Sequence, residues 1–267
     1  MLAKHPILNL AKYDLKYIIR GSGVFTAFLL ASAILFNLTN SSSIPIIQFI
    51  HTFLYNALTC LIISLVLNCM MRLWHRFRYS CYGDMGYLTH TLPLSTKQLW
   101  AAKFLVVLGS VLFVFCSIAL TFAVLAFTEA GRQLIEIFGL GTNTESPYAL
   151  ALGFTIIAQI IFIIMCGISG IIIGQRTKNH HGLWVVLSGI AIYFAGACIV
   201  FGCAAILSIF DPEIASLFSD YTANPQLVPD FNFITKLLVY CGILYYLLNA
   251  TLYVVNYKLL QRGVNLE

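Results

Sequence analysis

The sequence predicts an all-α polytopic membrane protein with six transmembrane helices and both termini in the cytoplasm. Three observations carry that expectation. Of the 267 residues, 60% are hydrophobic and 9% charged, whereas a soluble globular chain is about a quarter charged. Six apolar runs recur, each long enough to cross a hydrocarbon core of about 30 Å at about 1.5 Å per residue. A transmembrane β-barrel would instead alternate in short segments of about ten residues. The cationic residues, finally, sort to one side of those runs.

The chain reads as a single transmembrane domain, 1–267, with spans at 17–38, 44–71, 99–127, 148–174, 183–210 and 233–257. Lys4, Lys12, Lys16 and Arg20 precede the first span. Arg72, Arg76, Arg78, Lys97 and Lys103 fall between the second and third, Arg176 and Lys178 between the fourth and fifth, and Lys258 and Arg262 after the sixth. Of the 15 Lys and Arg, only Arg132 and Lys236 fall on the other side. The excess of cations marks the cytoplasmic face, which places both termini there. The acidic residues Glu129, Glu136, Glu145, Asp211, Glu213, Asp220 and Asp230 fall outside.

Residues 1–16 predict an amphipathic helix lying in the membrane interface. Leu8, Ala11, Leu15 and Ile18 follow helical spacing, while Lys12, Lys16 and Arg20 form a stripe at intervals of four. Such a helix keeps its cations near anionic headgroups; a plain basic flank that orients the first span is the alternative. A cleaved signal peptide is disfavoured, because 23 residues precede the apolar core at 24–36.

Small residues mark faces where helices approach closely. Gly23, Ala27 and Ala31 recur at intervals of four in the first span. Gly170 and Gly174 lie in the fourth, and Gly182, Gly189, Gly196 and Cys203 recur at intervals of seven in the fifth. In lipid such faces supply much of the association energy. They serve packing within one chain or a dimer seam.

Polar residues within the spans read as few and uncharged. Thr52, Asn56 and Thr59 form a stripe on the second span, which makes them the candidate pathway; Asn68, Gln159 and Asn249 are isolated. Burying an amide unpaired is costly, so each is expected to bond a neighbouring helix or face a wet cavity. The 8 cysteines include no CxxC pair and read as packed thiols rather than a disulfide framework. Residues 211–232, with Pro212, Pro225 and Pro229, read as an outer loop, with a re-entrant segment as the alternative.

Catalytic chemistry finds no footing. Gly167-Ile168-Ser169-Gly170 matches a GxSG pattern, but no His lies at its depth to act as base. His180 and His181 are adjacent and cannot both face one metal from one helix face, and no HExxH or Cys–His cluster occurs. A phosphate loop and paired intramembrane carboxylates are also missing. The sequence thus predicts no catalytic residue, no metal site and no cofactor held by this chain, and any active movement draws its energy from a partner.

The segment 82–95 stands apart. Gly83-Asp84-Met85-Gly86 breaks the chain, Asp84 caps a short helix running to Thr91, and Leu92-Pro93 stops it. Ser95-Thr96-Lys97-Gln98 then reads as a capping box for the third span. Tyr87, Leu88 and Leu92 give the short helix an apolar face for a groove on a partner.

The pattern Gly83-Asp84-Met85-Gly86-Tyr87-Leu88-Thr89-His90-Thr91-Leu92-Pro93-Leu94-Ser95, followed by Lys97-Gln98-Leu99 and Lys103-Phe104, resembles the corresponding loop of bacterial ABC-2-type transporter permeases. The six spans, cytoplasmic termini and amphipathic N-terminus are similar to that family along the whole chain. The resemblance implies a permease subunit in a bacterial plasma membrane. It implies two partners: a separately encoded ABC ATPase in two copies, which holds ATP and Mg, and a second permease, identical or a paralogue. No nucleic acid is implied. It also implies that 84–92 is a coupling helix contacting the ATPase through Asp84, Tyr87, Leu88, Thr91, Leu92 and Pro93. The first and fifth spans would line the dimer seam. The expected cargo is hydrophobic or amphipathic: an antimicrobial peptide, drug or lipid. The alternative is a non-transporting scaffold or regulator that recruits a cytoplasmic protein through the same loop.

Overall fold

The computed structural model describes residues 6–39, 44–83, 86, 95–129, 131–133, 146–177, 180–210 and 231–262. Six long helices fill them: α1 (Pro6–Thr39), α2 (Pro45–Tyr82), α3 (Thr96–Leu125), α4 (Ser146–Gly174), α5 (His181–Phe210) and α6 (Phe231–Gln261). All six are long and apolar enough to cross a membrane, so the chain is all-α and multi-pass in character.

The helices begin and end where their residues dictate. α1 is one helix of 34 residues, about 51 Å long, with no break near residue 16 to turn an N-terminal piece into the membrane plane. The run from Ile7 to Arg20 contains no Gly or Pro, so the basic turns simply continue the same helix. α2 carries Pro45 at its start, where the missing N–H costs nothing. α3 opens on the expected capping box: Gln98 N–H donates to Ser95 Oγ at 3.3 Å, and Ser95 N–H donates to Gln98 Oε1 at 3.0 Å. His180, just ahead of α5, adopts a left-handed backbone with φ 55°, and its carbonyl accepts from Leu183 N–H at 3.0 Å.

The helices group into two compact units, α1–α3 and α4–α6. In the first, α1 packs against both α2 and α3. Its alignment with α2 is antiparallel, pairing Asp14 with Arg76 and Thr39 with His51. Its alignment with α3 is parallel, pairing Asp14 with Lys103, Thr26 with Ser117, and Asn37 with the Val124 carbonyl. In the second unit α4 is the central helix. It runs parallel to α6, where Thr155 donates to the Leu238 carbonyl at 2.6 Å and Asn249 Nδ2 to the Ala158 carbonyl at 2.9 Å. Against α5 it makes a glycine contact. A Cβ at Gly170 would lie 2.6 Å from the Val185 carbonyl and 2.9 Å from Gly189 Cα. The two backbones therefore touch there, with Ser188 Oγ donating to the Gly170 carbonyl at 3.3 Å.

The expectation that the cysteines are all packed needs correcting. None of the eight cysteines forms a disulfide, but only Cys69, Cys81 and Cys166 are buried, while Cys60, Cys116 and Cys198 lie on exposed faces. A thiol is apolar enough to sit on an outward helix face that meets lipid.

Candidate functional site at the root of the 83–95 segment

The buried stripe of α1 is Ala11, Asp14, Ile18 and Ser22, continuing to Leu29 and Ala33. Asp14 thus occupies a position that spacing assigns to an apolar residue, while Lys12, Lys16 and Arg20 face outward. In α3 the buried stripe includes Leu99, Trp100, Lys103, Val106 and Val107, so a lysine lies on its packed face as well. Hydropathy alone would place neither charge in a helix interface.

The two meet. Lys103 Nζ donates to Asp14 Oδ2 at 2.6 Å and to Ser80 Oγ at 2.7 Å. Arg76 Nε donates to the other carboxylate oxygen, Oδ1, at 2.6 Å. The Ser80 hydroxyl, having accepted from Lys103, donates to the Phe77 carbonyl at 3.2 Å. Exposure falls to 3% for the Asp14 side chain and 4% for Lys103, while Arg76 keeps 24%. Arg76 also lies over the Tyr17 ring, 5.4 Å from its centre, a favourable placement for a cation on an aromatic face. Phe77 and Trp100 meet edge to face at 6.4 Å and add an aromatic contact between α2 and α3 beside the cluster.

Taking two such charges out of water costs several kcal/mol per ion, which only close geometry and further hydrogen bonds offset. Both carboxylate oxygens are used, and each helix of the unit supplies at least one member. The cluster therefore fixes the level of α1, α2 and α3 against one another, since a slip by one residue would strand a buried charge. It lies at the ends from which the 83–95 segment departs. Ser80 is three residues before Gly83, and Lys103 eight residues after Ser95. The expectation of an uncharged span interior is corrected here: Lys103 is inside a helix, buried, and tolerated because Asp14 neutralises it.

The other sequence-predicted residues fall as follows. Asp84, Tyr87, Leu88, Thr91, Leu92 and Pro93 lie outside the described residues, as does 211–230. Gly23 faces open space and Ala27 and Ala31 are exposed, so this small-residue face meets nothing within its own unit. Gly189 and Gly196 instead pack inside the second unit, Gly189 close to the Cys166 carbonyl and Gly196 against the Phe162 ring, and Cys203 is half-buried. Thr52 and Asn56 are exposed and Thr59 half-buried. All three donate to their own helix, to the carbonyls of Gln48, Thr52 and Tyr55. The expected bonds to a neighbouring helix are not made, because a carbonyl one turn back is always within reach. Ser169 Oγ donates to the Met165 carbonyl at 2.8 Å and to Asn256 Oδ1 at 2.7 Å, a packing contact between α4 and α6.

No protein-family model, curated protein or solved structure matches the chain.

Proposed function

We propose that the chain is the membrane-spanning permease subunit of an ABC transporter of the ABC-2 type. In this reading it exports a hydrophobic or amphipathic compound, such as an antimicrobial peptide, drug or lipid, across a bacterial plasma membrane. A separate ATPase, present in two copies and holding ATP and Mg, supplies the energy, and a second permease copy or paralogue completes the pathway. Both termini and the 83–95 loop face the cytoplasm, following the cation bias.

The observation that carries the reading is the loop and its anchorage taken together. The 83–104 segment has the residue pattern of an ATPase-contacting loop, and both of its helical roots are tied to α1 through Asp14. A push on the loop then moves three helices as one body, because sliding any one of them would strand a buried charge. Exposed Thr52 and Asn56 and half-buried Thr59 of α2, together with the open face of Gly23, Ala27 and Ala31, are assigned to the pathway and the seam between permeases.

The test is deletion of 84–92, followed by affinity purification with the partner ATPase that this reading requires. Loss of the ATPase with membrane insertion intact is the expected result. Undiminished co-purification would overturn the coupling role.

A further inference from the structure

One turn from Arg76 towards the apolar part of α2 lies a second arginine, Arg72, whose surroundings are different. Its Nε donates to Asn68 Oδ1 at 2.8 Å, one turn back on the same helix. The guanidinium fills the notch left by Gly21 on α1: a Cβ at that position would overlap it. No carboxylate among the described residues lies within ion-pair distance of it. Arg72 is thus half-buried and oriented, yet its terminal nitrogens face no anion among the described residues.

Its depth follows from helix geometry. At the far end of the same pair, Thr39 Oγ1 lies 3.2 Å from His51 Nδ1, which sets one level across α1 and α2. From there Gly21 is about 27 Å along α1 and Arg72 about 31 Å along α2, at about 1.5 Å per residue. That separation is the thickness of a bilayer hydrocarbon core, about 30 Å. Within α2 no Asp, Glu, Lys or Arg precedes Arg72, which follows a predominantly apolar run from Pro45 to Met71, so it marks the change from acyl chains to headgroups on the basic side. Eight Lys and Arg occupy that end of α1–α3 among the described residues, against one carboxylate, Asp14, which is already shared by two of them.

We propose that Arg72, oriented by Asn68 and seated in the Gly21 notch, binds the phosphate of an anionic phospholipid in the leaflet on the basic side. A guanidinium presents paired donors that match a phosphate bidentately, and at this depth lipid phosphate is the abundant anion. Arg20, exposed on α1 next to Gly21, adds a second cation near the same headgroup. The site requires only that α1 and α2 span the bilayer. It stands whether or not the chain is a transporter.

The test uses the full chain in detergent, with native mass spectrometry counting retained phosphatidylglycerol against phosphatidylcholine. The wild type should prefer phosphatidylglycerol, and Arg72→Gln should weaken that preference about fivefold, the worth of one cation at a membrane surface. Gly21→Ala keeps every charge and displaces the flexible guanidinium, so it should weaken the preference comparably and decides the matter if Arg72→Gln fails to fold. Arg78→Gln, the same charge change beyond the boundary, should leave the preference unchanged. Preference retained in Gly21→Ala, or lost equally in Arg78→Gln, would overturn the site in favour of diffuse attraction. Displacement of the lipid by millimolar inorganic phosphate would overturn it in favour of a free-anion site.

Discussion

Lys103 Nζ lies 2.6 Å from Asp14 Oδ2, with both side chains almost wholly withdrawn from solvent. The pair joins residues 89 apart in sequence, at the point where the 83–95 segment enters the helical body. Replacing Asp14 by Asn keeps the shape of the site and removes its only anion. Lys103 is then left buried and uncompensated, so a loss of about 3–5 kcal/mol is expected. Denaturant unfolding in mild detergent measures it. A loss below about 1 kcal/mol would mean that water reaches the pair and that it behaves as an exposed one.

The two partners should also be strongly non-additive. Asp14→Leu or Lys103→Met alone strands a charge, whereas the double replacement removes both, leaving Arg76 to turn towards solvent. The double variant should therefore be more stable than Asp14→Leu alone, with a coupling energy of about 1–3 kcal/mol. Simple addition of the two single losses would show that the contact carries no specific energy. Under the proposed permease reading, with the cluster carrying motion from the 83–95 segment, the double variant should keep its fold while losing ATP-driven export in the presence of the proposed ATPase.

Much of this architecture is legible in the sequence for a physical reason: a helix that crosses lipid needs about 20 predominantly apolar residues in a row. Six such runs, and the Ser95–Gln98 cap, could be read without coordinates. The Asp14–Lys103 pair could not, because each residue looks like an ordinary border charge. The available signal was positional. Asp14 shares a face with Ala11 and Ile18, and Lys103 with Leu99, Val106 and Val107. Small residues were equally ambiguous, since spacing marks a face that permits close approach without saying what approaches. Gly189 finds α4, whereas Gly23 finds nothing within its unit.

That distinction makes a steric prediction. Gly170→Leu forces a side chain into the Val185 carbonyl and the Gly189 backbone, which cannot yield as a flexible side chain would. Overpacking of this kind costs about 1–3 kcal/mol or more, and the melting temperature in detergent should fall. Gly153→Leu on the same helix, where a Cβ meets nothing within 4 Å, should change it little. Equal effects would place the α4–α5 contact elsewhere.

Asn256 and Ser169 offer a finer test, because their hydrogen bonding is unequal. Ser169 has two acceptors, the Met165 carbonyl on its own helix and Asn256 Oδ1 on α6. Asn256, wholly buried, has Ser169 as partner for its oxygen, and its Nδ2 bonds nothing among the described residues. Removing Asn256 leaves the serine hydroxyl satisfied one turn back. Removing the serine hydroxyl leaves an amide with neither end paired, and an unsatisfied buried group costs about 1–3 kcal/mol. Ser169→Ala should therefore lower stability more than its one lost hydroxyl suggests. Ser169→Ala combined with Asn256→Leu should recover most of that loss, since the unpaired amide is gone. A double variant less stable than Ser169→Ala would show that a polar partner, a bound water or a ligand, already occupies the free face of Asn256.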